Sequence, residues 1–283
     1  MADVSYCLQQ ARRHDRDRLL CALFAAPGPR DALVALLAFN LEAARVRETV
    51  SEPLIGLMRL QWWRDALDPI FAGTPPHHQV AMPLSAAVRA HGLSRRHFER
   101  LLDARRFDLE DEPPATLADL ESYAEATSGG LTLLALEALG ARGDAAREAG
   151  RRVGIAWALA GLMRAVPYHA RLGKSFLPAD RAAAAGLPPG VLFDDRHRDR
   201  HRDGIAAVVQ AVAGAAAGHL RAARDLRPGV EAAARPALLP AALADGHLAD
   251  LRRARFDPFA RPPRPTGPGR MAGLVLRNLR RAY

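Results

Sequence analysis

Lysine is nearly missing from this sequence: Lys174 stands alone, so nearly all of the 40 basic residues are arginine. With so much alanine, glycine and proline, that bias reads as the composition of a GC-rich genome. The net charge of +9 favours anionic partners in general, but it is for the same reason a weak guide to any one of them. Aromatic residues make up only 6% of the chain and no arginine/aromatic platform recurs, which argues against nucleic-acid binding. Cysteine is scarce too. Cys7 and Cys21 are expected to be separate thiols, which places the chain in a reducing compartment. Long apolar runs are also lacking: 153–163 and 205–218 fall short of the roughly 20 residues that cross a bilayer, so no transmembrane helix is expected. The first residues meet Asp3, Asp15 and Asp17 before any apolar core forms, and no secretory signal is expected.

What remains is a globular composition, 49% hydrophobic and 25% charged, in 283 residues. A chain of that size buries roughly three quarters of its unfolded surface, in one large domain or two small ones. No segment alternates β-branched with polar residues, while Ala, Leu, Arg and Glu recur at three- and four-residue apolar spacing, so the chain reads as helical throughout. The spacing predicts helices over 30–48, 54–72, 80–91, 94–108, 116–139, 144–166, 203–226, 230–254 and 269–281. Punctuation supports these limits: Pro27-Gly28-Pro29 precedes the first, Gly73-Thr74-Pro75-Pro76 follows the second, and Thr116 with Asp119 resembles a capping box. Two stretches, 170–189 and 194–203, read as long loops. In the second, His197 and His201 have metal-ligand spacing, but the interleaved Arg and Asp favour a solvated charged turn. A proline-rich segment, 261–268, precedes a final basic helix.

Several fragments, in consistent order, resemble squalene and phytoene synthases over about residues 5–260. They are Arg30-Asp31-Ala32-Leu33 through Phe39-Asn40, Gln61-Trp62-Trp63-Arg64, Leu120 with Tyr123, Gly154 with Ala156 and Arg164, and Gly173 through Phe176-Leu177-Pro178 to Gly186. The resemblance implies an all-α, single-domain isoprenoid-synthase-type bundle around a central cavity, spanning 1–260, with 261–283 packed on it or trailing. In the enzymes of that family two aspartate-rich motifs face one another and hold magnesium ions that ionise a prenyl diphosphate. Acids at i and i+4 share one helical face, so their oxygens can converge on a hard cation.

Laid onto this chain, the first motif falls on Ala44, Arg45 and Glu48 and the second on Ala165 and His169, so most of its acids are gone. Pro167 lies inside the second motif and disfavours helix at Val166. Ala158 and Gly161 stand where the synthases generally carry polar residues. Other acids are candidate replacements: Glu42 with Glu48, or Glu121 with Glu125, the latter being equally a helix face pairing with Arg105 and Arg106. Trp62 and Trp63 suit a prenyl pocket but are more often core. Tyr168 and His169 are adjacent in sequence, so they do not face each other as an acid/base pair.

Within the superfamily, Ala38-Phe39-Asn40 with Glu42, Val50-Ser51-Glu52, Ile55-Gly56-Leu57-Met58-Arg59 and Arg164-Ala165 with Pro167-Tyr168-His169 resemble one branch most. It contains the mitochondrial respiratory complex I assembly factor of this fold and its bacterial relatives. This implies a non-catalytic, cytoplasmic bacterial protein, peripheral to the inner membrane, whose partners are complex I subunits or other assembly proteins. Its working surface would include a mouth made positive by Arg45, Arg47 and Arg164, and an anionic membrane surface is a further expected contact. The alternatives are a prenyltransferase using Mg²⁺, with no cofactor expected otherwise, or an isoprenoid- or lipid-binding protein. Candidates for gripping such a ligand are Asn40, Arg45, Tyr123, Arg164, Tyr168 and Lys174.

Overall fold

The computed structural model describes residues 4–50, 52–260, 267–279 and 283. Among them there is no strand, only helices and turns. In chain order the helices are α1 (Ser5–His14), α2 (Arg16–Ala22), α3 (Pro27–Ala44), α4 (Val46–Thr49), α5 (Pro53–Ala72), α6 (Ala81–His91), α7 (Arg95–Ala104), α8 (Leu117–Ala124) and α9 (Gly130–Ala138). They continue as α10 (Asp144–Arg164), α11 (Val166–Arg171), α12 (Ala179–Ala184), α13 (Asp195–Arg200), α14 (Arg202–Asp225), α15 (Arg235–Leu238), α16 (Pro240–Arg253) and α17 (Pro268–Leu279).

Local chemistry sets the ends. Pro27 opens α3, where its missing N–H costs nothing. Gly73 closes α5 at φ 81°, a left-handed conformation that a side chain would strain. Thr116 and Asp119 form the reciprocal cap of α8.

The expected helices are present, with instructive departures. Two helices at the N-terminus, α1 and α2, were not anticipated; Asp15 separates them and caps α2 by accepting from Arg18 N. The expected helix 230–254 is broken into 3₁₀ turns, α15 and α16, because Pro236 and Pro240 each start a new helix. The charged stretch 194–203 is not a loop: Asp194 caps α13 through the amides of Arg196 and His197. Helix 116–139 is interrupted by a π-helical turn, Glu125–Gly129, where it crosses α10. The crossing is close: a Cβ on Gly154 would lie 2.5 Å from the Gly129 Cα. Of the tail, 261–266 and 280–282 lie outside the described residues; α17 rests on α16, with Leu274 buried.

Two apolar cores meet along this crossing. The first joins α1, α3, α5, α6, α7 and α9 and centres on Phe39, whose ring meets Trp63 and Phe98 edge-on at 5.1 and 5.2 Å. Such pairs add about 0.5–1.5 kcal/mol each beyond area burial. Trp63 is thus core, whereas Trp62 is 41% exposed and lies against His78. The second core is built on α10 and α14, with α8 and α16 beside them. Helix α14 is long and apolar enough to cross a membrane, but its Val208, Val209, Val212, Ala216 and Leu220 are buried in that second core. Cys7 and Cys21 are buried and form no disulfide with each other.

Candidate functional site

Helices α3 and α10 each end in the same way, one residue leaving helical geometry before a short helix restarts. The break residues are Arg45 (φ −99°, ψ 14°) and Ala165 (φ −92°, ψ 4°). Pro167 then sits in the first turn of α11, where a proline is tolerated. These breaks bring the two motif positions together. Arg45 Nε lies 2.9 Å from Glu48 Oε2. Burial first, then the same Glu48 carboxylate nearby, pushes the Tyr168 phenol up to about 12. His169 packs 4.8 Å from the Phe176 ring; burial lowers its pKa, against the pull of Asp108 and Glu48, so the neutral imidazole is favoured.

Beneath this mouth is a buried polar network whose centre the sequence reading did not single out. Arg105 donates to Asn40 Oδ1 at 3.2 Å, to Asp108 Oδ2 at 3.1 Å and to the Tyr123 hydroxyl at 2.7 Å. The Tyr123 hydroxyl in turn donates to Asp108 Oδ1 at 2.6 Å. Burial holds the Tyr123 phenol well above its ordinary range, so it stays a donor. Asn40 and Tyr123, expected to touch a ligand, are therefore tied to one another through Arg105 and Asp108. The available signal was Arg105-x-x-Asp108 just before the Leu120/Tyr123 pair, but partners 65 and 18 residues apart leave no periodic trace.

Lys174 is equally committed. It is 1% exposed, and its Nζ donates to the carbonyls of Phe107, Glu110 and Glu112 at 2.9, 2.6 and 2.9 Å. It also lies 3.9 Å from the Phe107 ring centre. Three carbonyls use all three of its protons, so it staples a loop. Burial lowers its pKa to about 8. The expected positive mouth is not assembled either. Arg45 is in its ion pair, Arg47 donates to the carbonyls of Asp108, Glu110 and Leu172, and Arg164 donates to His247 Nε2 at 2.8 Å, towards α16.

The alternative acids do not converge. Glu121 meets His219 at 3.0 Å and Glu125 meets Arg151 at 2.6 Å, rather than Arg105 or Arg106. No cluster of three metal-capable His, Cys, Asp or Glu side chains occurs among the described residues, and His201 turns its Nδ1 to the His197 carbonyl at 2.8 Å. At the motif positions the donor set is one carboxylate, Glu48, already paired with Arg45, beside Ala44, Ala165 and His169, which carry no carboxylate. Magnesium requires several hard oxygens. The residues present do not fit a magnesium diphosphate cluster. Along the C-terminal half of α10 and its cap, Ala158, Leu162 and Ala165 are apolar and partly accessible, and a Cβ on Gly161 would meet nothing within 4 Å.

An all-α bundle with two long helices that break beside one another is a fold of the isoprenoid-synthase type. Comparison places it further: the squalene/phytoene synthase family profile matches residues 11–270, and the chain belongs to that family. It is 37% identical over 254 residues to NADH dehydrogenase (ubiquinone) complex I, assembly factor 6, of Rattus norvegicus, covering 90% of this chain and 75% of that one. The Homo sapiens protein of the same name is 35% identical over the same shares. Phytoene synthase of Rhodobacter capsulatus is 26% identical over 69% of this chain and 57% of its own. Among solved structures, a dehydrosqualene synthase in complex with ligand superposes with a TM-score of 0.81 at 18% identity, over 98% of this chain and 95% of that one. A squalene synthase from Alicyclobacillus acidocaldarius gives 0.79 at 20%, over 90% and 95%. These two likenesses speak for the fold.

Proposed function

We propose that the chain is a non-catalytic assembly factor for a respiratory NADH dehydrogenase of the complex I type, working in the bacterial cytoplasm at the inner membrane. The observation that carries this reading is the 37% identity, over 90% of the chain, to a complex I assembly factor, against 26% over 69% for a phytoene synthase. The site's chemistry agrees with it. A prenyl transfer needs its diphosphate leaving group neutralised, and here the one motif carboxylate is paired with Arg45 while two alanines and a neutral histidine fill the other positions. No cofactor is needed for such a role. Two buried cysteines that are not joined in a disulfide accord with a reducing compartment.

Deleting the gene in its native organism and measuring NADH dehydrogenase activity and assembled complex on native gels tests the proposal. The expected result is loss of assembled complex, with complex subunits or other assembly proteins co-purifying with the tagged chain. Turnover of farnesyl or geranylgeranyl diphosphate with Mg²⁺ at rates typical of synthases would instead make the chain a prenyltransferase. The partly accessible apolar strip Ala158, Gly161 and Leu162 keeps an isoprenoid or lipid ligand as the second reading.

A further inference from the structure

Between α7 and α8 the chain forms a 3₁₀ turn, Arg105–Leu109, and then runs through Glu110, Asp111, Glu112, Pro113 and Pro114. Two cations grip the backbone of this segment from one side. Lys174 takes the carbonyls of Phe107, Glu110 and Glu112, and Arg47 takes those of Asp108 and Glu110 at 3.2 and 3.3 Å. The acidic side chains are left at the surface: that of Asp111 is 88% exposed although it meets Arg47 at 3.1 Å. The result is a fixed acidic ridge stiffened by two prolines.

Against this ridge lies a largely apolar groove of about 570 Å³. Asp111, Glu112 and Pro113 form one wall, and Leu177, Ala182, Leu187, Val191 and Leu192 form the floor and the other wall. Phe193, 49% exposed, stands at its lip. Pro113 is shared with a second groove of about 660 Å³, whose rim adds Asp103, Glu110 and Asp119 against one cation, Arg106.

We propose that the apolar groove docks an amphipathic polypeptide segment, its apolar side chains entering between Leu177 and Phe193 and its lysines or arginines meeting the ridge. The proposal rests on the assembly-factor reading and deepens it, by assigning the surface that receives the client. Charge chooses the occupant. On a chain of net charge +9 the groove edge is acidic, which opposes nucleic acid and anionic bilayer alike and suits a basic segment. Apolar floor and charged rim divide the work as in other protein interfaces, with burial supplying affinity and the rim supplying register. Because Lys174, Arg47 and the two prolines already order the ridge, little conformational entropy is lost on binding.

The test uses the full chain and two fluorescein-labelled helical peptides, one of leucine and lysine and one of leucine and glutamate, followed by anisotropy. The Leu/Lys peptide is expected to saturate, the Leu/Glu peptide to bind at least about tenfold more weakly, and high salt to erase most of the difference. Ala183→Trp, at an exposed position of α12 on the groove wall, and the triple change Glu110→Gln, Asp111→Asn, Glu112→Gln should each weaken the Leu/Lys peptide about tenfold or more while leaving the melting temperature unchanged. Equal binding of the two peptides, or undiminished binding by both variants, overturns the proposal. Complementation separates this result from the function itself. If Ala183→Trp loses the peptide but restores the dehydrogenase in a deletion strain, the docking surface is wrong and the assembly role stands. A deletion strain with a normal dehydrogenase overturns the role whatever the peptides do.

Discussion

The ends of α3 and α10 lie together but differ in chemistry. Just after α3, Glu48 supplies a carboxylate, paired with Arg45 at 2.9 Å. Just after α10 there is no acid, and Tyr168 and His169 follow a proline in the first turn of α11. One end holds its carboxylate in a local ion pair; the other offers a phenol and an imidazole. Directly below, the Asn40, Arg105, Asp108 and Tyr123 network is fully connected and buried. Beneath the mouth, polar groups tie helices to one another, whereas at the mouth the one motif carboxylate is spent on a local ion pair.

The largest effect should come from the buried side of this comparison. Arg105→Leu leaves Asp108 buried without its cation and should cost about 3–5 kcal/mol, read as a lower urea midpoint. Lys174→Met comes next: three carbonyls lose their donor, and a loss of about 2–3 kcal/mol is expected by the same measurement. Arg45→Ala, in contrast, breaks a partly exposed pair and should cost less than about 1 kcal/mol. If Arg45→Ala proved as damaging as Arg105→Leu, the distinction between mouth and network would be lost.

The pH dependence sharpens the α10 side. The folded-state pKa of His169 is lowered by burial, with Lys174 acting in the same sense and Asp108 and Glu48 against it, so the unfolded chain binds more protons in the window below about 6.5. Its stabilising contribution is therefore present above that pH and fades as the pH falls through the folded value. His97 is lowered likewise, again first by burial. The melting temperature should fall between pH 7.5 and 5.5, and His169→Gln should make that fall shallower without abolishing it, because His97 remains. An identical slope in the variant would contradict a neutral, buried His169.

Much of the fold was legible because helices announce themselves locally. Pro27, Gly73 and the Thr116/Asp119 cap mark real ends. Helices α1 and α2 were overlooked because their charged faces look like a solvated leader, although Cys7, Ala11 and Leu19 are buried beneath them. The break before α16 follows from Pro236 and Pro240, whose helix-starting role was outweighed by the surrounding alanines and leucines. The π-turn at Glu125–Gly129 depends on the approach of Gly154 from another helix, which no local pattern reports.

For the site, the resemblance directed attention to Ala44, Arg45, Ala165 and His169, and the structure breaks its helices at Arg45 and Ala165. What those residues do there was not legible in the sequence. Lys174, marked as a ligand contact, is a clamp because Phe107, Glu110 and Glu112 present their carbonyls to it across more than 60 residues of sequence. Tyr123 and Asn40 likewise acquired partners only in three dimensions.

Glu48, the one carboxylate at the motif positions, separates the proposed role in NADH dehydrogenase assembly from metal-assisted prenyl chemistry. In a deletion strain complemented with Glu48→Gln, assembled dehydrogenase on native gels should return to the level given by the wild-type chain. If Glu48→Gln folds with an unchanged melting temperature yet restores no more complex than the empty vector, the carboxylate is doing chemistry and the account is contradicted.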